Sequence, residues 1–339
     1  MDEITATADE LIAPPTKSSL QWLKPALGYV LAIGGLVWVL HDFQLSQLRE
    51  LVSHLDWRWI ALAVACDVAS YVCQGFRWRL LLKPQGELST LRATQAIYAG
   101  LFTNEILPMR LGELVRAWLV SRWTAVRFAA IIPSMVAERL FDALWLAIGV
   151  GLTALAVPLP KNLLYAADVL GIVVVLGTAA ILYFALRPPT SNERSSGLWH
   201  FVSNLLETLS GHLRAMGRTR EFSLSLAGSL FLLVFQALAF WLVMRGCGLQ
   251  LNVWAGIAVL LIVRLGTAIP NAPANVGSYQ FFTVVGLSLF GVDKTVATGF
   301  SLVVFVLLTA PLFVLGFLAM SASGTSLLKI RQEVQTLAD

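Results

Sequence analysis

Long runs of apolar residues alternate with short polar loops along the chain. A helix needs about 20 predominantly apolar residues to cross the hydrocarbon core of a bilayer. The runs that meet this requirement cover residues 24–41, 58–82, 129–157, 163–186, 222–244 and 295–320. The pattern predicts an all-α polytopic integral membrane protein with about six to eight transmembrane helices.

Two further stretches, 90–127 and 253–291, are interrupted by polar residues, proline and glycine. Each is predicted to form a helix, a break and a second helix, with breaks at 104–112 and 270–277. Proline ends a helix because it lacks an N–H and clashes with the preceding turn. Glycine tolerates the backbone angles with which a helix can restart.

The distribution of arginine and lysine predicts the orientation in the membrane, because cytoplasmic loops are enriched in both. Basic residues concentrate in loops 77–92, 110–127 and 187–221 and in the tail 321–339. Both ends of 90–127 would therefore be cytoplasmic, which makes this stretch a re-entrant hairpin. By the same argument, 253–291 would be a re-entrant hairpin that enters from the opposite face.

The flanking and connecting segments are assigned in the same way. The acidic, proline-containing residues 1–20 are predicted to be a disordered cytoplasmic tail. Within the loop 187–221, apolar residues recur at helical spacing, which predicts a cytoplasmic helix over 197–216. It would lie on the membrane surface or, as an alternative, pack against the loops of the same protein.

The order of these elements suggests an inverted repeat within the domain 21–320. The first repeat would cover 21–157 and the second 163–320, in opposite orientations. The two breaks read PMRLGE at 108–113 and PANVGS at 273–278, and both contain P-x-x-x-G. Inverted repeats with broken helices are typical of transporters. The alternative is eight or more simple spans whose proline and glycine match by chance.

Composition supports a membrane protein and argues against several other classes. The sequence is 57% hydrophobic and only 13% charged, whereas soluble domains carry about 25% charged residues. A net charge of +4 without a dense basic face argues against nucleic-acid binding as a function. No metal-binding, phosphate-loop, nucleophile-elbow or dinucleotide motif is present. We therefore expect no cofactor, no metal and no enzymatic activity.

The first polar cluster lies at the first break. Glu113, at the start of the second helix of this hairpin, could pair with Arg110 or Arg116. N–H groups exposed at a new helix N-terminus attract anions, so the cluster would suit a phosphate headgroup. An ordinary basic cytoplasmic loop is the alternative. The candidate residues are Asn104, Pro108, Arg110, Gly112, Glu113 and Arg116.

The second cluster, Glu138, Arg139 and Asp142, lies within a predicted span. Glu138 and Asp142 are four residues apart and share a helix face. Charges within a membrane are costly and suggest function, so we expect this face to neutralise the arginines of the first hairpin. A structural salt bridge and a proton-coupling carboxylate are both consistent with the pattern.

The third cluster lies at the second break, where amide side chains could bind a headgroup or satisfy the interrupted backbone. Its candidates are Arg264, Asn271, Pro273, Asn275, Gly277 and Gln280.

In the span 58–82, Asp67 and Gln74 lie roughly on one face, and Arg77 and Arg79 lie near its end. Snorkelling to the membrane surface would account for both arginines. Arg77 is also a candidate for phosphate binding.

These motifs resemble the flippase-like family related to the transmembrane region of lysylphosphatidylglycerol synthase. The resemblance rests on 104–116, on Glu138-Arg139-x-x-Asp142, on the prolines and glycine of 270–277 and on FRWRLLL at 76–82. It covers about 20–320. The family often has Gly-Gly after the second proline and an acidic residue shortly beyond, whereas this chain has Ala274, Asn275 and Gln280.

The resemblance implies that the protein translocates lipids or lipid-linked intermediates. Its partners would be phospholipid, polyprenyl-phosphate or hopanoid-type lipids, with lipid-synthesis enzymes or a second copy of the chain as further partners. Because the chain ends soon after the last span, we do not expect lipid aminoacylation. We expect flipping of an anionic or phosphate-bearing lipid in the bacterial inner membrane, with both termini cytoplasmic. A membrane-embedded transferase and a scaffold for lipid-linked glycan or phospholipid synthesis are the alternatives.

Overall fold

The computed structural model describes residues 30, 32–41, 43–106, 111–157, 220–268 and 273–324, with short helical pieces between 161 and 177. Residues 32–40 are helical. The helices that follow are α1 (Leu45–Ser53), α2 (Trp57–Leu82), α3 (Thr90–Ile106), α4 (Gly112–Trp123), α5 (Phe128–Ala156), α6 (Arg220–Gly246), α7 (Val253–Gly266), α8 (Ser278–Ser288) and α9 (Lys294–Ala322). A 3₁₀ turn, Pro273–Asn275, precedes α8.

Within the described residues, four helices are long and apolar enough to cross a membrane. They are α2, α5 from Ala130 onward, α6 and α9. The predictions of spans at 58–82, 129–157, 222–244 and 295–320 are confirmed to within three residues at each end. The chain is therefore a multi-pass membrane protein, and every regular element in its described residues is a helix. Most of 163–186 and all of 1–20, 197–216 and 325–339 lie outside the described residues, so the predictions made for them stay predictions.

Both ambiguous stretches form a helix, a break and a second helix, as predicted. In the first hairpin, α3 and α4, Gly100 and Asn104 face Gly112, and Gly100 also faces Arg116. In the second hairpin, α7 and α8, Gly266 faces Phe282 and Gly286 faces Val259. These pairings mean that the two helices of each hairpin run antiparallel and pack closely at glycines.

Among the described helices, the most extensive pairing joins α2 and α6, which also run antiparallel. At one end Gly246 accepts a hydrogen bond from the Asp56 N–H (3.0 Å) and lies against Ile60. At the other end Gly228 lies against Arg77. Small residues at these crossings let the backbones approach, which is how helices associate in lipid.

The hairpins also pack against the last helix of the other half of the chain. In the first hairpin, Tyr98 and Phe102 lie against Gly316 of α9. In the second, Leu261 lies against Gly149 of α5. Each hairpin has its own apolar core, one centred on α3 and α4 and the other on α6 to α9.

Large apolar side chains remain on the outer surfaces of the spanning helices. Leu155 is 85% exposed, and Val306 and Val314 are about 60% exposed. Exposure of this kind is expected where hydrocarbon replaces water as the solvent.

The short helix α1 is not among the elements predicted from the sequence. Its nine residues, LSQLRELVS, carry apolar residues on one face only. Leu51, on that face, packs against Gly299 of α9. Tertiary packing therefore stabilises a helix whose length is marginal in isolation.

Candidate functional site

A network of buried ion pairs joins α2, α4 and α5. Arg77 has no exposed side-chain surface, and its Nη2 lies 2.9 Å from Glu138 Oε1. Its Nη1 pairs with Asp142 and donates to Ser229 Oγ on α6 (2.8 Å). Arg77 lies inside the helix bundle, so the snorkelling interpretation is wrong for this residue. Its two carboxylate partners offset the cost of burying its charge.

Arg116 extends the network to the first hairpin. Its Nη1 lies 2.8 Å from Glu138 Oε2, and its Nη2 lies 2.7 Å from Glu113 Oε2. The guanidinium stacks over Trp78 at 4.7 Å from the ring centroid. The indole N–H of Trp78 on α2 in turn donates to Ser134 Oγ on α5 (3.0 Å), so α5 orients the ring that Arg116 contacts.

Arg139 completes the network at its exposed end. It pairs with Glu113, and its Nη1 lies 3.9 Å from Asp142 Oδ2. The network thus contains Arg77, Arg116 and Arg139 against Glu113, Glu138 and Asp142, and its formal charges cancel. The prediction that Glu138 and Asp142 share a face and neutralise arginines is confirmed for Arg116, and the pairing of Glu113 with Arg116 is confirmed too.

A cavity of about 500 Å³ lies beside this network. Its walls come from α2, α3, α5, α6, α7, α8 and α9 and from the 3₁₀ turn. The volume is within the range of small-molecule sites. Asp142 and Arg139 belong both to the network and to the cavity wall.

Both hairpins contribute polar side chains to the cavity. Glu105 comes from the first hairpin, whereas Arg264 and Asn275 come from the second hairpin and its break. Arg264 donates to Gln236 Oε1, a neutral partner on α6. Among the described residues, Arg264 has no carboxylate within ion-pair distance. It therefore presents positive charge to the cavity.

The two breaks use an amide side chain in the same way. At the first, the Gly112 N–H donates to Asn104 Oδ1 (2.7 Å). At the second, the Gly277 N–H donates to Gln280 Oε1 (2.7 Å), and Gln280 is buried. These amides satisfy N–H groups that the interrupted helices would leave without partners.

The candidates drawn from the sequence differ in where they lie relative to the cavity. Pro108, Arg110 and Asn271 lie outside the described residues, and Pro273 is described only as part of the 3₁₀ turn. Arg77, Arg116, Glu113 and Glu138 lie behind the cavity wall. The candidates that the structure places on the wall are Arg139, Asp142, Arg264 and Asn275.

Several cavity residues were not among the candidates drawn from the sequence. Asp67, Tyr71, Glu105, Gln236 and Tyr279 line it. Asp67 and Gln236 can be recognised from the sequence as candidates, because each is a polar residue near the middle of an apolar run. The two tyrosines carry no such signal, since an aromatic residue in a span is ordinary.

The chain is similar in sequence to known proteins. The sequence model described as "Lysylphosphatidylglycerol synthase TM region" matches residues 25–316. A UPF0104 membrane protein of Methanothermobacter thermautotrophicus is 24% identical over 296 residues, covering 82% of this chain and 86% of that protein. The glycosyltransferase AglD of Haloferax volcanii is 24% identical over 291 residues, covering 74% of this chain but 47% of AglD. No solved structure matches.

Proposed function

Because the chain belongs to the family of the lysylphosphatidylglycerol synthase transmembrane region, we propose that it translocates a lipid across the bacterial inner membrane. The lipid carries an anionic or phosphate-bearing headgroup, which enters the cavity while its apolar tails remain in the bilayer. Translocation of this kind breaks no covalent bond, so the protein acts as a transporter rather than an enzyme.

The observation that carries this proposal is a guanidinium group on the cavity wall that forms no ion pair with any described carboxylate. Arg264 has a neutral hydrogen-bond partner, and the side chain of Arg139 is 56% exposed. Guanidinium groups are forked donors that match phosphate oxygens. A headgroup phosphate would bind Arg264 and displace Arg139 from its long contact with Asp142.

The neutral network beside the cavity supports such a site. Its three arginines and three carboxylates hold α2, α4 and α5 together without leaving net charge in the bilayer. The hydrogen bond from Arg77 to Ser229 extends this attachment to α6. Side chains that are held in position by these contacts lose little conformational freedom when a ligand binds, which lowers the free-energy cost of binding.

We also propose that the architecture is an inverted repeat with two re-entrant hairpins. The order of long helix, hairpin and long helix occurs twice, as α2 to α5 and as α6 to α9. Equivalent helices α2 and α6 run antiparallel, and each hairpin packs on the last helix of the other half. Two halves related by a pseudo-two-fold axis in the membrane plane would produce both arrangements. Because cytoplasmic loops are enriched in arginine and lysine, both termini would be cytoplasmic.

A transferase is the second candidate, because one relative is named a glycosyltransferase. The match covers less than half of that relative, so its activity can belong to the part that this chain does not match. Transport needs a closed bilayer, whereas a transferase makes product in detergent. Product formation by the purified protein in micelles from a lipid-linked substrate would favour the transferase.

Replacement of Arg264 tests the proposed translocation. Purified protein is reconstituted with a fluorescent phosphatidylglycerol, and an impermeant quencher measures how much of the lipid reaches the other leaflet. Charged hydrogen bonds contribute about 1.5–3 kcal/mol, so Arg264→Gln should slow transport roughly 10- to 100-fold.

Arg245→Gln is the matched control. Arg245 also donates to a glutamine, Gln250 (2.6 Å), but it does not line the cavity. It should transport at the rate of the unaltered protein. Equal rates for Arg264→Gln and Arg245→Gln would contradict the role of Arg264, and no transport by the unaltered protein would contradict translocation of this lipid.

A further inference from the structure

Asp67 is a buried carboxyl group on the cavity wall. It lies near the middle of α2, about ten residues from the start of a 26-residue helix. Its side chain is 4% exposed, and Oδ2 has no hydrogen-bond partner. No basic group lies within ion-pair distance among the described residues. Asp67 therefore contrasts with Glu138, which is buried to the same degree between two arginines.

The charged groups around the cavity come from three other helices. They are Glu105 on α3, Arg139 and Asp142 on α5 and Arg264 on α7. The other titratable groups near Asp67 are Cys66 and Tyr71 on α2, Tyr98 on α3 and Tyr279 on α8. The rings of Tyr71 and Tyr98 lie 5.4 Å apart. From α6 and α9 the cavity receives polar but uncharged groups, such as Gln236 and Thr309.

We propose that Asp67 is a proton-binding site that couples proton uptake to headgroup binding in the cavity. An isolated carboxylate without a partner is costly in a low-dielectric site, and uptake of a proton removes that cost. An ionised Asp67 would also repel a phosphate held by Arg264 in the same cavity. The carboxyl must therefore be neutral when the headgroup binds.

This inference rests on the proposed function, and it makes the proton a second ligand of the cavity besides the lipid headgroup. A proton from the bulk forms an O–H bond with Asp67 as the anionic headgroup enters, so that the cavity gains no net charge. When the headgroup leaves on the other side, the O–H bond breaks and the proton passes to water there. Headgroup and proton would therefore cross together.

The first measurement needs no transport. Infrared difference spectra of the purified protein between acidic and alkaline pH report protonated carboxyl groups through their C=O stretch. Asp67→Asn should lose one such band, and Asp67→Glu should keep it at a shifted frequency. Glu87→Gln, which removes an exposed carboxyl at a loop, is the control for loss of a solvent-exposed acid.

The second measurement tests the coupling. Dihexanoyl phosphatidylglycerol is a suitable probe because its phosphodiester does not itself titrate near neutral pH. Calorimetry in two buffers of different ionisation enthalpy should show uptake of about one proton per lipid bound, and affinity should fall about tenfold per pH unit above the titration range. Asp67→Asn should bind lipid without proton uptake, whereas Glu87→Gln should match the unaltered protein.

The outcomes separate the two proposals. An unchanged infrared spectrum in Asp67→Asn would overturn the proton site, as would lipid binding that depends on Na⁺ and takes up no proton. Loss of the band with no lipid binding by the unaltered protein would support the proton site but overturn its coupling and the proposed function. Loss of both the band and the proton uptake in Asp67→Asn, with lipid still bound, is the result that we expect.

Discussion

The two broken hairpins share a backbone design and differ in charge. In each, a glycine N–H at the break donates to an amide oxygen at 2.7 Å, from Asn104 in the first and Gln280 in the second. The restarted helix of the first hairpin carries Glu113 and Arg116, both committed to ion pairs. The restarted helix of the second carries Tyr279 and Gln280 in corresponding turns, and neither is charged.

The difference indicates that the break and the charge serve separate purposes. Each break leaves a backbone N–H without a partner in its own helix. In both hairpins a neutral amide oxygen accepts the hydrogen bond from that N–H. The charges of the first hairpin attach it to α2 and α5 through the neutral network. The second hairpin supplies Arg264 to the cavity, where a neutral partner leaves its charge available. The first hairpin is therefore held in place by ion pairs, whereas the second presents the Arg264 guanidinium to the cavity.

Arg116→Gln should have the largest effect on stability. It removes the network arginine of the first hairpin and leaves Glu113 and Glu138 with one basic partner each. Loss of one partner from a buried ion pair costs about 3–5 kcal/mol. SDS titration of the purified protein should show a loss of this size.

The double variant Arg116→Gln/Glu138→Gln restores charge balance in the network. It should recover part of the lost stability, because the remaining carboxylates then match the remaining arginines. If the double variant is as unstable as Arg116→Gln, or if Arg116→Gln is fully stable, the contacts of Arg116 are not held together by charge.

Gly112→Ala and Gly277→Ala test whether the two breaks are equally tight. A Cβ at Gly112 would overlap the Gly100 carbonyl oxygen, and one at Gly277 would overlap the Ala32 carbonyl oxygen. Gly277 also has φ of 89°, which L-residues disfavour. Each variant should lose about 1–3 kcal/mol in the same titration.

Gly151→Ala is the control for these two glycines. It lies inside α5 with open space around it, so an added Cβ meets nothing within 4 Å. This variant should be as stable as the unaltered protein or slightly more stable. A loss at Gly151 equal to that at Gly112 would show that close approach is not the cause.

Asn104→Ala and Gln280→Ala should have smaller and similar effects. Each removes the acceptor for one N–H at a helix start, a change that typically costs about 1 kcal/mol. Gln280→Glu keeps an acceptor and adds a charge to α8, which has none. It should retain the hydrogen bond but lose stability through burial of an unpaired carboxylate. Transport by Gln280→Ala at near-normal rate would separate the break from ligand binding, whereas full loss would place Gln280 in the site.

Much of the fold could be predicted from the sequence. Four spans and both breaks follow from apolar length, proline and glycine, because hydrocarbon excludes any spanning segment that leaves its backbone unsatisfied. The shared face of Glu138 and Asp142 follows from their spacing, as does the pairing of Glu113 with Arg116. The short helix α1 was missed because its stability comes from packing and not from its own length.

The site was predicted less completely, because the local sequence around a residue does not show which distant residues pack against it. Arg77 looked like an arginine at the end of a span, where snorkelling is usual. Only the proximity of α5 and α6 shows that it is enclosed by Glu138, Asp142 and Ser229. Arg264 and Gln236 lie 28 residues apart, and nothing in either segment indicates their contact.

The sequence by itself determined a helical membrane protein, its family, its two interrupted hairpins and the local groups of charge, because hydrophobicity and helical spacing act over a few residues. Tertiary structure alone decided which charges cancel and which remain open to the cavity. Arg77 and Arg264 are both arginines within apolar runs, and only the helices packed around them distinguish a structural ion pair from a charge available to a ligand. The same holds for Asp67 and Glu138, since the cost of a buried carboxylate depends on what lies within a few ångströms of it.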